Sequence, residues 1–414
     1  MNLNVQIIIA AIGGLVFGFM LSHYPHTAFF EHSLYVLNIL ASVFIGLLKM
    51  LLMPLIFSSI VAGVSSLQEG GQFGRVWKIT LLCGLTTTTL AVILGISCAN
   101  IFAVGKGVNI NLFQTALQHY QPQTALTSSH FLTSIIQNTL INPFKALSDG
   151  NVLAAVVFAF LLGAALVRGG ERFREIRHLV RQFFEIMMLL VGWVMKLAPL
   201  GIFALLAKLV AVEDLSVLGR LASFAVVVTG TTIFHGAVVL PVLLWVFGRM
   251  GPVTFFKGSR TALLTAFATS SSSATMPLSL QCVQENLGVR AHIAQFVIPL
   301  GAQLNMDGTA LYEAAAALFV ANLIGMDLSL TQQIIVCLTA MIASIGAPGI
   351  PSAGMVTMIM VLQSVGLPAE AIAILLPIDR LLDTVRTVVN VQGDMIISVV
   401  VDRYAGQGET EQQA

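Results

Sequence analysis

The stretch DRLLDTVRTVVNVQGDMIISVVV, Asp379–Val401, sets three aspartates, two arginines and two carboxamides among Leu, Val, Ile and Met. Its surroundings are those of a lipid-embedded chain: 57% of the 414 residues are hydrophobic and 9% charged, against about 25% charged in a soluble domain. Mean hydropathy is +0.91. The composition is that of a polytopic membrane protein, in which a charge at bilayer depth costs at least about 2.5 kcal/mol. A run of charges there must face a protein interior or a watery cavity, and reads as a functional site in preference to an ion-pair cluster that only locks helices together. On a helix, Asp379, Asp383, Arg386, Asn390 and Asp394 follow steps of four, three, four and four residues. At ~100° per residue all five side chains fall within about 80° of one face, a polar stripe.

Upstream of this stripe, apolar runs near the ~20 residues needed to span a bilayer are Val5–Tyr24, Leu34–Leu67, Lys78–Val104, Val152–Val167, Ile176–Val210 and Val217–Gly248. The longer ones are expected as tilted helices. Arg168, Arg172, Arg174, Arg177 and Arg181 between the fourth and fifth runs place that loop in the cytoplasm, and Arg75, Lys78, Arg249, Lys257 and Arg260 fall on the same side if the N-terminus is inside. The first run lacks a basic leader and a small-residue cleavage site, so it reads as a retained span. Cys83, Cys98, Cys282 and Cys337 sit in apolar segments without metal or redox spacing and read as packing residues with no disulfide. No Asn-x-Ser/Thr acceptor occurs, which favours a bacterial inner membrane, and a net charge of +1 gives no sign of a nucleic-acid partner.

Beyond Gly248 the apolar segments are interrupted. TSSSSATMP, Thr269–Pro277, reads as the tip of a re-entrant helical hairpin closed by Pro277, because broken backbone in hydrocarbon is tolerated only where protein or a water-lined cavity covers it. SIGAPGIPSAG, Ser344–Gly354, reads the same way, with flanks at Ile334–Ile342 and Met355–Leu362 too short to cross alone. Two such interruptions in corresponding places are the mark of inverted-repeat transporters. Between them, GAQLNMDGTALYEA places Asn305, Asp307, Thr309 and Glu313 in an apolar span, with Gly308 positioned to break it. Carboxylates, amide oxygens and freed carbonyls are hard ligands for a small cation, and without a His/Cys cluster they do not suit a transition metal. Arg386 offers a planar fork for a substrate carboxylate, and Asp383, one turn earlier, an acceptor for a substrate ammonium. In GLTTTTLAVILGI, Thr87 and Thr88 are read by themselves as bonding to their own helix carbonyls.

With TSSSSATMP, NMDGT, SIGAPGIPSAG and DRLLDTVRTVVNVQGD in that order, the chain resembles the dicarboxylate/amino acid:cation symporters, the glutamate transporter family, over essentially its whole length. The resemblance implies an all-α membrane protein of eight transmembrane helices and two re-entrant hairpins, arranged as inverted repeats and assembled as a homotrimer in membrane lipid. It implies an elevator, with residues 1–76 and 105–215 as scaffold, 77–104 and 216–404 as transport domain and 405–414 as a cytoplasmic tail. By position, Arg386 would take the side-chain carboxylate and Asp383 the amino group of the substrate. Thr387, Asn390 and Thr309 would hydrogen-bond it, with main chain of Ser272, Ile350 and Gly354 closing the site. One sodium site would use Asp394, Asn390 and carbonyls of Gly301 and Asn305; a second, Asp307, Asn305, Thr87 and Thr88. A third would use carbonyls of Gln303, Ser344, Ile345 and Ala347.

Within the family, Asp383 separates amino-acid carriers from four-carbon dicarboxylate carriers, Arg386 points to glutamate or aspartate, and Asp394 with an intact NMDGT favours sodium over protons. The resemblance implies co-transported Na+ and no organic cofactor. Glu313 stands where some relatives carry a proton carrier, a role suited to a carboxyl shielded from water. The chain departs from the pattern at Ser270 and Thr384, where most relatives carry a further arginine at one or the other, which leaves the charge balance around Asp383 open. Ala347 replaces a common hydroxyl residue. A proton-coupled acidic or neutral amino-acid symporter of the same fold is the nearest alternative. An intramembrane hydrolase built on Ser270–Ser273 would need a base, and the candidates His235 and His292 have no orienting carboxylate evident in sequence. An ion channel would need a ring of ligands on a symmetry axis in place of a composite site with one arginine.

Overall fold

The structure, a computed structural model, describes residues 3–25, 27–65, 74–106, 140–148, 152–212, 216–347, 349 and 353–412, and all their regular elements are helical. The first helices are α1 (Leu3–Ser22), α2 (Ala28–Ser65), α3 (Gly74–Ile101), the short α4 (Pro143–Ser148) and α5 (Val152–Arg168). They are followed by α6 (Arg174–Lys196), α7 (Ala198–Val212) and α8 (Ser216–Phe234), the last continuing through two π-helical turns to Gly248. Then come α9 (Pro252–Thr269), α10 (Ser272–Gln281), α11 (Ala291–Leu304), α12 (Asp307–Leu323), α13 (Leu330–Gly346), α14 (Ala353–Ser364) and α15 (Ile372–Gln412). Among the described residues, Ala28–Leu47, Val76–Ile101, Gly219–Gly248 and Ile378–Tyr404 are helical, long and apolar enough to cross a membrane.

The expected fifth span, Ile176–Val210, is not one helix. It is broken at Leu197 into two segments bent by 52°. Pro199, in the first turn of α7, supplies the cause: it has no amide to donate to the preceding turn and its ring clashes with the carbonyl four residues back, so α6 cannot run through it while a new first turn tolerates it.

TSSSSATMP does form a helix–turn–helix tip, but Pro277 does not close it. Helix α9 stops because Ser270 adopts a left-handed conformation, φ 50°, an unusual choice for a residue with a Cβ. Ser271 is extended, and its Oγ caps α10 by accepting from the Ala274 amide at 3.1 Å. Pro277 lies inside α10. The second interruption falls between α13, which starts in a Ser329/Gln332 capping box, and α14. The two tips meet: Ser271 Oγ and the Ser273 amide both donate to the Gly349 carbonyl, at 2.8 and 3.0 Å.

The helix break in NMDGT lies at Asn305–Met306, not at Gly308, which sits in the first turn of α12. Gly308 is there for proximity. A Cβ at this position would lie 2.6 Å from the Arg386 carbonyl oxygen, so only glycine lets α12 press against the backbone of α15.

Apolar packing brackets the polar stripe. The first half of α15, through Leu382, belongs to a large buried cluster shared with α1, α2, α7, α12 and α14. From Val389 onward α15 belongs to a second cluster shared with α9, α10 and α11. Between them Asp379, Asp383, Arg386, Asn390 and Asp394 are all buried, on the one face that their spacing requires.

Candidate substrate and cation site

Arg386 heads the fully buried side chains by size, at 1% exposure. Its Nη2 donates to Asp379 Oδ1 and to Asp383 Oδ1, both at 2.8 Å, and its guanidinium carbon lies 4.0 Å from the centre of the Tyr312 ring, a cation–π contact made strong by the absence of water. Nε and Nη1 have no hydrogen-bond partner among the described residues, and neither have Asp379 Oδ2, Glu313 Oε2 or the Tyr312 hydroxyl. Buried polar atoms cost about 1–3 kcal/mol each when unmade, so such a concentration is the signature of a place meant for a ligand. Of these atoms, Nη1 faces the second hairpin: a Cβ on Gly354 would stand 3.6 Å from Nη1 and 3.1 Å from Thr309 Cγ2.

Around this fork, Asn390 Oδ1 accepts from the Gly308 amide at 2.8 Å and its Nδ2 donates to Thr309 Oγ1 at 3.3 Å. Thr387 and Ser272 are buried beside the cluster and at the first turn of α10. Ile350 lies outside the described residues. Glu313 is wholly buried, and its Oε1 accepts a hydrogen bond from Thr357 Oγ1 of α14. Sequence reasoning left two residues of the opening stretch without a role. Asp379, 0% exposed, anchors Arg386, and Arg380 brings its Nη1 to 3.5 Å from Asp383 Oδ2. Ser270 and Thr384 carry no charge, so Arg380 supplies the second guanidinium at Asp383. Its helical spacing, three residues before Asp383, was the available signal.

Thr87 and Thr88 do more than bond their own helix. Thr87 Oγ1 lies 3.2 Å from Asn305 Oδ1 and 3.1 Å from Asp307 Oδ1, and Thr88 Oγ1 lies 2.7 Å from the same Asp307 oxygen. All four expected ligands of this set therefore converge, the hydrogen bonds of the two threonines to Asn305 and Asp307 spanning 218 to 220 residues of sequence. Asn305 also reaches the other set, its Nδ2 donating to Asp394 Oδ1 at 3.2 Å, and Gly301 packs against the Asp394 carboxylate. Asn390 is not part of that contact: its hydrogen bonds go to Gly308, Thr309 and Met306. Of the carbonyl set, Ser344 and Ala347 are buried, with the Ser344 carbonyl engaged by the Ala347 amide at 3.3 Å, while the Gln303 side chain is outside the described residues. A cavity of about 250 Å³, lined in part by Thr88, Gly301, Asn305, Ile345 and Asp394, reaches the Asp394 carboxylate from beside α2, α3 and α5.

His235, which shows no orienting carboxylate in sequence, has one in the fold: its Nε2 lies 3.3 Å from Asp307 Oδ2. This does not make a hydrolase of the serine tip, whose Ser271 hydroxyl is committed to the Gly349 carbonyl.

Residues 3–404 match the model of the sodium:dicarboxylate symporter family. A putative sodium-dependent excitatory amino acid transporter, glt-4, of Caenorhabditis elegans is 37% identical over 96% of this chain and 88% of its own length. The human excitatory amino acid transporter 3 is 36% identical over 87% of this chain and 77% of its own. The proton/sodium-glutamate symport protein of Geobacillus stearothermophilus is 32% identical over 98% of this chain and 95% of its own. The stripe on α15, the converging oxygens of α3 and α12 and the paired broken helices thus have a common explanation: the chain is a multi-pass membrane transporter, not an enzyme, and belongs to the sodium:dicarboxylate symporter family.

Proposed function

We propose that the chain takes up glutamate or aspartate, driven by the sodium gradient and accompanied by a proton on Glu313. The observation that carries this reading is Arg386, a buried guanidinium held through Nη2, whose Nε and Nη1 have no hydrogen-bond partner among the described residues and whose Nη1 lies on the side of Gly354. A charge-assisted hydrogen bond from a free guanidinium N–H to a carboxylate is roughly twice as strong as a neutral one. Asp383 receives the substrate ammonium, exchanging part of its contact with Arg386 and Arg380, and Asn390, Thr309 and Thr387 position the rest.

Sodium coupling follows from charge. Among the described residues, the buried acids Asp307, Asp379, Asp383, Asp394 and Glu313 outnumber the two guanidiniums packed with them, Arg386 and Arg380, and an excess of buried carboxylates is unfavourable until cations offset it. Sodium at Asp307–Asn305–Thr87–Thr88 and at Asp394–Asn305–Gly301 supplies those charges. The shared Asn305 and the Gly308–Asn390 bond link these sites to the substrate.

The finer architecture is part of the same proposal: eight transmembrane helices and two re-entrant hairpins, α9–α10 and α13–α14, as inverted repeats in a homotrimer of the bacterial inner membrane with both termini cytoplasmic. Residues 1–76 and 105–215 form a scaffold, along which 77–104 and 216–404 slide as an elevator. The packing supports this division, since α1 and α2 pack on α5, α6 and α7, while α3 packs on α12, α13 and α15.

The test is substrate-dependent uptake of radioactive sodium into proteoliposomes holding the wild type or Arg386→Cys. Glutamate or aspartate should drive sodium into wild-type vesicles only, while the variant still binds sodium. Unchanged affinity for both acids in Arg386→Cys would overturn the substrate assignment.

A further inference from the structure

His235 is completely buried, and its one polar contact among the described residues is with Asp307. It opens a π-helical turn, His235–Val239, in the run that continues α8. Such turns insert a residue into a helix and re-aim its side chains. Here the turn is clamped from the side: the Gly236 carbonyl accepts from Gln392 Nε2 of α15 at 2.6 Å. The imidazole is thereby held in register with the same helix that carries Asp394 two residues further on.

At Asp307 the two carboxylate oxygens are divided. Oδ1 receives Thr87 and Thr88, and Oδ2 faces His235 Nε2. An ionised carboxylate only accepts, so Nε2 carries the hydrogen in this contact. Among the described residues His235 Nδ1 has no hydrogen-bond partner, and the polar interaction that the ring makes there is with the carboxylate.

Resting on the reading of Asp307 as a cation ligand, we propose that His235 is a positioning residue for that cation. By holding Oδ2, it fixes the rotation of the carboxylate so that Oδ1 stays converged with Asn305 Oδ1 and the two threonines. A carboxylate free to rotate presents these oxygens only part of the time, and the cation site weakens without losing any ligand. Removal of a partner of this kind costs a metal site about 10–100-fold in affinity.

The experiment is a sodium titration of the purified protein without substrate, read as sodium-dependent thermal stabilisation, followed by substrate binding at saturating sodium. His235→Phe and His235→Leu should raise the half-saturating sodium concentration by about tenfold and alter the lithium-to-sodium preference. His235→Gln, which keeps an N–H donor, should restore most of the sodium response. Substrate affinity at saturating sodium should match wild type in all three. In an Asp307→Asn background, His235→Leu should add no further shift. An unchanged sodium curve in either donor-less variant overturns the proposal. So does a Gln variant as impaired as the Leu variant, which would make His235 a packing residue only, or an additive effect with Asp307→Asn. If Asp307→Asn alone leaves the sodium response intact, the reading of Asp307 as a ligand fails first and independently of His235.

Discussion

Replacing Gly308 by alanine tests whether the site depends on backbone contact between α12 and α15. The added Cβ would stand 2.6 Å from the Arg386 carbonyl oxygen and 2.8 Å from its Cα. Ordinary non-bonded contacts lie near 3.5–4.0 Å, so the helices must open by roughly 0.5–1 Å. Overpacking costs about 1–3 kcal/mol, and the upper end applies because the obstacle is main chain and no rotamer can yield. Alanine recovers about 1 kcal/mol of helix propensity, leaving a net loss near 2 kcal/mol. The displacement also moves Asp307, Thr309 and Arg386, the immediate neighbours of the clash, and disturbs the 2.8 Å bond from the Gly308 amide to Asn390. Loss of one hydrogen bond between the displaced Arg386 guanidinium and the substrate, about 1.5–3 kcal/mol, means a tenfold or greater fall in substrate affinity. The control is Gly84→Ala, equally near the cation ligands but with its Cβ at an ordinary 3.6 Å from Asn305 Oδ1. Thermal denaturation and calorimetric binding of aspartate and glutamate compare the two variants. A Gly308→Ala protein as stable as Gly84→Ala, with unchanged affinity, would refute the reasoning.

Asp307→Asn and Asp394→Asn should each raise the sodium needed for half-maximal substrate binding, with rescue by excess sodium, since coupled ligands shift each other's dissociation constants by the same factor; binding that ignores sodium and follows pH alone would count against both. Asp379→Asn should lower substrate affinity about tenfold or more by releasing Arg386 Nη2 from a 2.8 Å charged contact, and a wild-type isotherm would show that Asp383 suffices. Glu313→Gln should abolish substrate-driven acidification of sodium-loaded proteoliposomes; a wild type that moves no protons would remove the carrier role, and a flux that survives in the variant would place it on another group.

The periodicity of Asp379, Asp383, Arg386, Asn390 and Asp394 was enough to put five polar side chains on one buried face, because a helix converts sequence spacing into direction with little help from neighbours. The same locality made the serine run and the Gly/Pro run recognisable as interruptions. Where local rules were pushed further they misplaced details. Pro277 was expected to close a turn that Ser270 and Ser271 make, Gly308 to break a helix that it packs, and residues 176–210 to run straight through Pro199.

What no local rule could reach was convergence. Thr87 and Thr88 look in isolation like threonines bonding their own helix, and join a cluster of side-chain oxygens only because α12 delivers Asp307 to within 2.7–3.1 Å. His235 has no carboxylate near it in the chain and meets one 72 residues away. Helical direction follows from the order of a few neighbouring residues, whereas a coordination shell is assembled by the packing of whole helices against one another, and that is set by the apolar surfaces of the entire fold.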